Sequence, residues 1–112
     1  TCAITGLSMR NGGGRSEVEA AHIKPVGDGH RGPDSVRNGL ALTQTVHWMF
    51  DRGLLSIDSD YRILLAKGLV PEPIRRLFHP SGFASVPDAE WAKPHPAFLQ
   101  YHRDHIFKEA KN

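Results

Sequence analysis

Glu19 to Asp51 reads EAAHIKPVGDGHRGPDSVRNGLALTQTVHWMFD, and three places in it decide what the chain builds. His22 follows an apolar, strand-like run, and Pro25 comes three residues later, where the missing N–H stops further strand pairing. Asn38 stands beside Gly39 at the end of a loop; Asn-Gly is a common turn pair, and an Asn side chain there can also hold a neighbouring segment. His47 and Asp51 are spaced i, i+4, which puts both on one face of a helix and within reach of one metal ion. Singly, each has a structural explanation: a half-buried histidine, a turn, an ion pair on a solvated face worth about 0.2–0.5 kcal/mol. Such groups gathered in one cleft make a candidate site.

Outward from this stretch, the upstream residues read as simple architecture. Thr1 to Leu7 is β-branched and apolar, a short strand or a turn. Asn11 to Arg15, with three glycines, is a turn joining two antiparallel strands, the second ending at His22. A phosphate-cradling glycine loop needs a helix right after it, and Ser16-Glu17-Val18-Glu19 is strand-like instead. Downstream, Pro25 to Arg37 is too polar and too rich in Gly and Pro for a regular element and reads as an ordered functional loop. Leu40 to Thr43 is a short buried strand. Thr43 or Thr45 caps a helix running to about Arg52, with Trp48, Met49 and Phe50 on its apolar faces and Gly53 at its end. Leu54–Asp58 and Tyr61–Leu65 form a hairpin. Val70 to Pro94 is mostly irregular with one helical turn near Ile74–Leu77. Pro96 opens a last helix whose apolar stripe is Phe98, Leu99, Ile106 and Phe107. His102, Arg103, His105 and Lys108 lie mainly off that stripe, in solvated or packing roles or against nucleic acid.

Composition bounds the rest. At 112 residues and 39% apolar, the chain suits one domain with a modest core. A net charge of +2 permits a nucleic-acid partner without demanding one. One cysteine excludes an internal disulfide and a four-cysteine zinc site, so Cys2 reads as a small buried residue. No apolar run is long enough to span a membrane and no signal-peptide pattern is present, so a reducing cytoplasm is the expected setting. The opening on Thr1-Cys2 without an initiator Met points to a domain excised from a longer protein, its partner domain upstream.

The segments AAHIKP, NGLAL and HWMFDRGLLSID resemble the HNH endonucleases of the His-Me finger, or ββα-metal, superfamily. The likeness is specific from Cys2 to about Ala66 and weakens toward FLQYHRDHIF, which is similar to the ends of HNH domains appended to DNA-binding modules in restriction-type nucleases. What the resemblance implies is an α+β fold: a strand–loop–strand–helix finger over about 2–66 with an added β-hairpin, then an irregular segment and a C-terminal helix over 67–112, in one domain. It also implies a metal-dependent DNA endonuclease of restriction or defence, leaving 5′-phosphate and 3′-hydroxyl ends. His22 would be the general base, Asn38 would hold the loop and orient that base, and His47 with Asp51 would bind the ion. The ion expected is Mg²⁺ or Mn²⁺, with Zn²⁺ or Ni²⁺ as alternatives. Lys24, His30, Arg31 and Arg37 are the expected DNA contacts, and an upstream DNA-recognition domain and a homodimer the expected partners. The residue chemistry agrees, because imidazole, with an unperturbed pKa of about 6.5, is suited to take a proton from water near neutrality.

Two positions depart from the family pattern. Members often carry Cys-x-x-Cys near the start, and Cys2-Ala3-Ile4-Thr5 lacks the second thiolate. Many have an Asp or a second His before the base histidine as a third metal ligand, and Ala21 stands there. Either His47 and Asp51 hold the ion alone, completed by waters and the scissile phosphate, or another residue substitutes, with Glu19 the closest carboxylate. An Ala21→Asp change is then expected to tighten Mn²⁺ binding. The competing classes are a catalytically impaired, HNH-like DNA-binding or structural domain, favoured by Ala21, and a zinc-stabilised interaction module, disfavoured by the single cysteine.

Overall fold

The computed structural model describes residues 1–14 and 16–108; Arg15, at the end of the glycine turn, lies outside them. In chain order the elements are β1 (Glu19–His22), β2 (Gly39–Leu42), α1 (Gln44–Asp51), β3 (Leu55–Ile57), β4 (Ile63–Leu65), α2 (Glu72–Arg75) and α3 (Pro96–His105). Single 3-10 turns cover Val36–Asn38 and Glu90–Ala92. This is the α+β finger with an added hairpin and a closing helix.

β1 pairs antiparallel with β2, placing Ala21 opposite Leu40 and His22 opposite Gly39. The partner of β1 is therefore the strand after the long loop, not one before the glycine turn. Across that turn, among the described residues, the pairing is one bridge between Arg10 and Ser16. Thr1 to Leu7 is a turn rather than a strand, closed by bonds from the Cys2 N–H to the Leu7 carbonyl and from the Gly6 N–H to the Cys2 carbonyl. It still supplies Cys2, Ala3 and Ile4 to the core.

α1 lies against β1 and β3 and turns Val46, Met49 and Phe50 inward. Two details of this helix differ from the expectation. Thr43 takes the N-cap position without a side-chain cap bond, because its side chain is buried rather than turned back over the first turn. Trp48 is exposed, with the Arg52 guanidinium 4.5 Å above its ring, so the apolar face is carried by Met49 and Phe50 without it. Gly53 follows with φ +73, a conformation that favours glycine, and a Cβ there would overlap the Ile106 carbonyl.

β3 and β4 form the second, two-stranded sheet. α3 packs on β3, with Leu99 and His102 buried. Pro96 opens it as expected, and the His95 ring accepts a bond from the Ala97 N–H at the N-cap. His102 is a core residue: its ring stacks on Phe50 at 3.8 Å, the Ser56 hydroxyl donates to Nδ1 at 2.7 Å, and Nε2–H donates to the Phe50 carbonyl at 2.9 Å. Burial lowers its pKa to about 4, against the opposing effect of the Phe50 bond and with a further lowering from Arg103. It joins the closing helix to the last turn of α1.

Candidate active site

β1 and α1 bring His22, His47 and Asp51 to one cleft of about 360 Å³, whose lining also includes Ala20, Pro25, Val26, Asp28, His30 and Ile106. One wall is the strand, one the helix, and one the loop 25–37. A larger hollow of about 650 Å³ shares Ala20 and His22 with it, but its walls are mainly apolar, from Val18, Ala41, Val36, Val86 and Pro87. Most of the titratable groups converge on the smaller cleft, which makes it the candidate site.

His47 is half-buried, and both of its ring nitrogens face carboxylates. Nε2 stands 3.1 Å from Asp51 Oδ2, one helical turn away, and Nδ1 stands 2.8 Å from Glu19 Oε1 across on β1. Two ligand atoms held about 2.0–2.2 Å from an ion and at right angles stand about 3 Å apart, the separation of this nitrogen and oxygen. The donor set of one imidazole and one carboxylate suits a divalent cation. Glu19 sits on the opposite nitrogen of the ring from Asp51. In the tautomer where Glu19 accepts from Nδ1–H, the Nε2 lone pair is left toward Asp51, the arrangement that orients a metal-binding histidine. Among the described residues no group of three or more His, Cys, Asp or Glu is placed to share an ion.

His22, at the end of β1, is exposed on its side-chain face. Its Nε2 lies 3.3 Å from Oδ1 of Asp34, an exposed residue of the loop. With Asp34 accepting from Nε2–H, the lone pair resides on Nδ1, which is the basic nitrogen of that tautomer. Nothing local in the sequence pairs residues 22 and 34; only the return of the loop does.

Asn38 is fully buried at the foot of the loop and spends its whole amide there. Its Oδ1 accepts from the Lys24 N–H at 2.8 Å, and its Nδ2 donates to the carbonyls of Lys24 at 3.0 Å and Pro33 at 2.8 Å. It also passes its own carbonyl to the Ile23 N–H. One side chain thus clamps both ends of the loop directly after His22, replacing the strand pairing that Pro25 denies.

The cationic residues divide. Arg37 donates Nε to the Lys93 carbonyl at 3.0 Å and ties the 3-10 turn at 36–38 to the one at 90–92. Arg31 is exposed with φ +61. Lys24 lies with Nζ 4.5 Å above the Tyr101 ring, and His30 bonds the Tyr101 hydroxyl. Ala21, the position of the departure, is 1% exposed and packs in the core, outside the lining of the small cleft.

Comparison with known proteins bears on the family and the fold. A family model described as HNH endonuclease matches residues 2–58, more than half of the chain. Among solved structures, the modification-dependent TagI restriction endonuclease is similar at 29% identity with a TM-score of 0.73, over 94% of this chain and 33% of that one. The chain thus spans about a third of that enzyme's length. A comparison with curated proteins finds no match. The matched span contains β1, β2, α1 and every residue of the cleft's titratable set, and the chain belongs to the HNH endonuclease family.

Proposed function

We propose that this domain hydrolyses DNA phosphodiester bonds with a divalent metal ion, as the cutting unit of a restriction-type nuclease. The observation that carries the proposal is the convergence of His22, His47 and Asp51 on one cleft, with Nε2 and Oδ2 of the last two at the spacing of a shared ion. His22 is the general base: Asp34 on Nε2 leaves Nδ1 to take a proton from the attacking water. Asn38 keeps the loop closed behind it, so that the base is held on the strand end rather than on a free segment. His47 and Asp51 would hold the ion, Mg²⁺ or Mn²⁺ before Zn²⁺ or Ni²⁺, with Glu19 steadying the His47 ring. Once bound, the ion supplies stabilisation of the charge that gathers on the phosphate and on the departing 3′-oxygen. Attack by water at phosphorus with loss of that oxygen leaves 5′-phosphate and 3′-hydroxyl ends.

The strand lies along the loop side, where Lys24 and Arg31 offer positive charge and His30 a ring N–H. Site selection would belong to an upstream DNA-recognition domain, and cutting of both strands to a pair of such domains. The test is nicking of supercoiled plasmid in Mg²⁺ or Mn²⁺ by the wild type and His22→Ala. The expected outcome is metal-dependent nicking that the variant abolishes while circular dichroism and DNA binding stay unchanged. Wild-type nicking rates in His22→Ala would remove the base assignment.

A further inference from the structure

The loop 25–37 forms one wall of the active-site cleft, and its foot and its apex are held by different parts of the molecule. Asn38 clamps the foot through Lys24 and Pro33, and the Gly32 N–H closes on the Pro25 carbonyl just above it. The apex, residues 27–31, has a local turn from the His30 N–H to the Gly27 carbonyl. Among the described residues, the bond that ties this apex to another element is the one between His30 Nδ1 and the Tyr101 hydroxyl, 2.5 Å long. Tyr101 sits on α3, outside the span that matches the family model. Its ring is itself fixed, edge-on to His30, with the Lys24 ammonium 4.5 Å from its centroid and the His105 ring at 4.3 Å. The next residue, His102, is locked into the core, so Tyr101 stands on a rigid turn.

The chemistry of this cluster points to an anion. With the Tyr101 hydroxyl donating to Nδ1 of His30, the neutral ring carries its proton on Nε2. His30 lines the same cleft as His22, His47 and Asp51, so Nε2–H is a donor at the wall of the site. Lys24 brings a full positive charge to the same aromatic platform, two residues after the base. Asp28 shares the wall and opposes an anion, which leaves the subsite dependent on the His30 donor and the Lys24 charge together. We infer that Tyr101 is a positioning residue that fixes His30 so that its Nε2–H and the Lys24 ammonium bind the phosphate next to the one cleaved. The inference rests on the nuclease function proposed above and adds to it a role for the helix beyond the finger.

The test measures binding and cleavage separately. Affinity for a short DNA duplex, read by fluorescence anisotropy in EDTA over a range of salt, is compared for the wild type, Tyr101→Phe and His30→Ala. Phenylalanine keeps the ring beneath Lys24 and removes the hydroxyl alone. The expected result for Tyr101→Phe is a several-fold weaker complex at every salt concentration, with the salt slope little changed, because the neutral donor that is lost displaces no counterion while Lys24 stays in place. In cleavage assays KM should rise with kcat nearly constant, and calorimetric Mn²⁺ affinity should not change. The double variant Tyr101→Phe/His30→Ala should bind no worse than His30→Ala, because both changes remove the same contact. His30→Gln, which keeps a donor near the place of Nε2, should recover part of the affinity that His30→Ala loses. A wild type that cleaves the duplex and a Tyr101→Phe variant with unchanged KM and unchanged affinity would overturn this inference alone. Additive losses in the double variant would overturn it as well. A wild type that neither binds nor cleaves the duplex would overturn the inference and the nuclease function together.

Discussion

Replacing His102 by glutamine should flatten the acid side of the stability profile, and the size of the effect follows from the burial of one ring. His102 is 1% exposed, stacked on Phe50 and bonded through both nitrogens, and its folded pKa is lowered to about 4 from an ordinary 6.5. The unfolded chain takes up a proton near pH 6.5 that the folded chain refuses until about 4. The neutral ring therefore contributes full stability above pH 6.5, and that contribution is lost as the pH falls toward 4. A gap of about 2.5 units corresponds to roughly 3 kcal/mol, at about 1.4 kcal/mol per unit. Against a total of about 5–15 kcal/mol for a domain, this is a large share. Urea unfolding of the wild type and His102→Gln at intervals between pH 4 and 8 isolates it, since the other six histidines are common to both chains. The variant should be less stable at pH 8, having lost the stacking and one of the two bonds, yet the gap should narrow by roughly 3 kcal/mol on acidification. Parallel curves would refute the reasoning and mean that the ring is hydrated or already charged in the folded state.

Other outcomes follow from the site. Glu19→Ala should weaken Mn²⁺ binding by about 10–100-fold, through loss of the carboxylate that steadies His47, and less than Asp51→Ala, which removes a proposed ligand; calorimetry in the absence of DNA ranks the two, and equal affinities in wild type and Glu19→Ala would dismiss the steadying role. Ala21→Asp should lower the melting temperature by several degrees without tightening Mn²⁺ binding, because the side chain at 21 enters the core and an unpaired carboxylate there costs on the order of 1–3 kcal/mol or more. Tighter binding in that variant would mean that the Cβ of Ala21 faces the ion, as the family pattern alone suggests.

What could be read from the sequence was whatever local spacing encodes. The i, i+4 distance between His47 and Asp51 carried directly into the 3.1 Å pair, because a helix fixes that geometry wherever it is placed. The strand ending at His22, the strand after Asn38 and the proline at the head of the last helix were legible for the same reason: each depends on its neighbours along the chain. The misread features depend on distant ones. Trp48 reads as core by its size, and only the position of α1 over the sheet leaves it outside under Arg52. His102 sits among Arg103, Asp104 and His105 in a polar-looking segment, and its partners, Ser56 and Phe50, are 46 and 52 residues away. Glu19 was visible as a carboxylate near the site, yet its place on the far nitrogen of His47 emerges only when β1 meets α1. Asp34 and Tyr101 carry no signal of their own; a loop returning on itself and a helix docking from the other end of the chain bring them to His22 and His30.

The bare contact at Gly53 has a practical consequence for anyone wishing to move this domain into another protein. Gly53 meets the carbonyl of Ile106 with no room for a side chain and accepts a bond from the Lys108 N–H at 2.8 Å, while Ile106 itself closes one edge of the cleft. The stretch that identifies the family ends at residue 58, so it holds Gly53 but stops well short of Ile106 on the other side of that seam. A cassette cut at that point would carry the cleft's histidines and carboxylates, and leave behind the helix that backs them. A transplantable unit therefore has to reach at least Lys108, with glycine kept at 53.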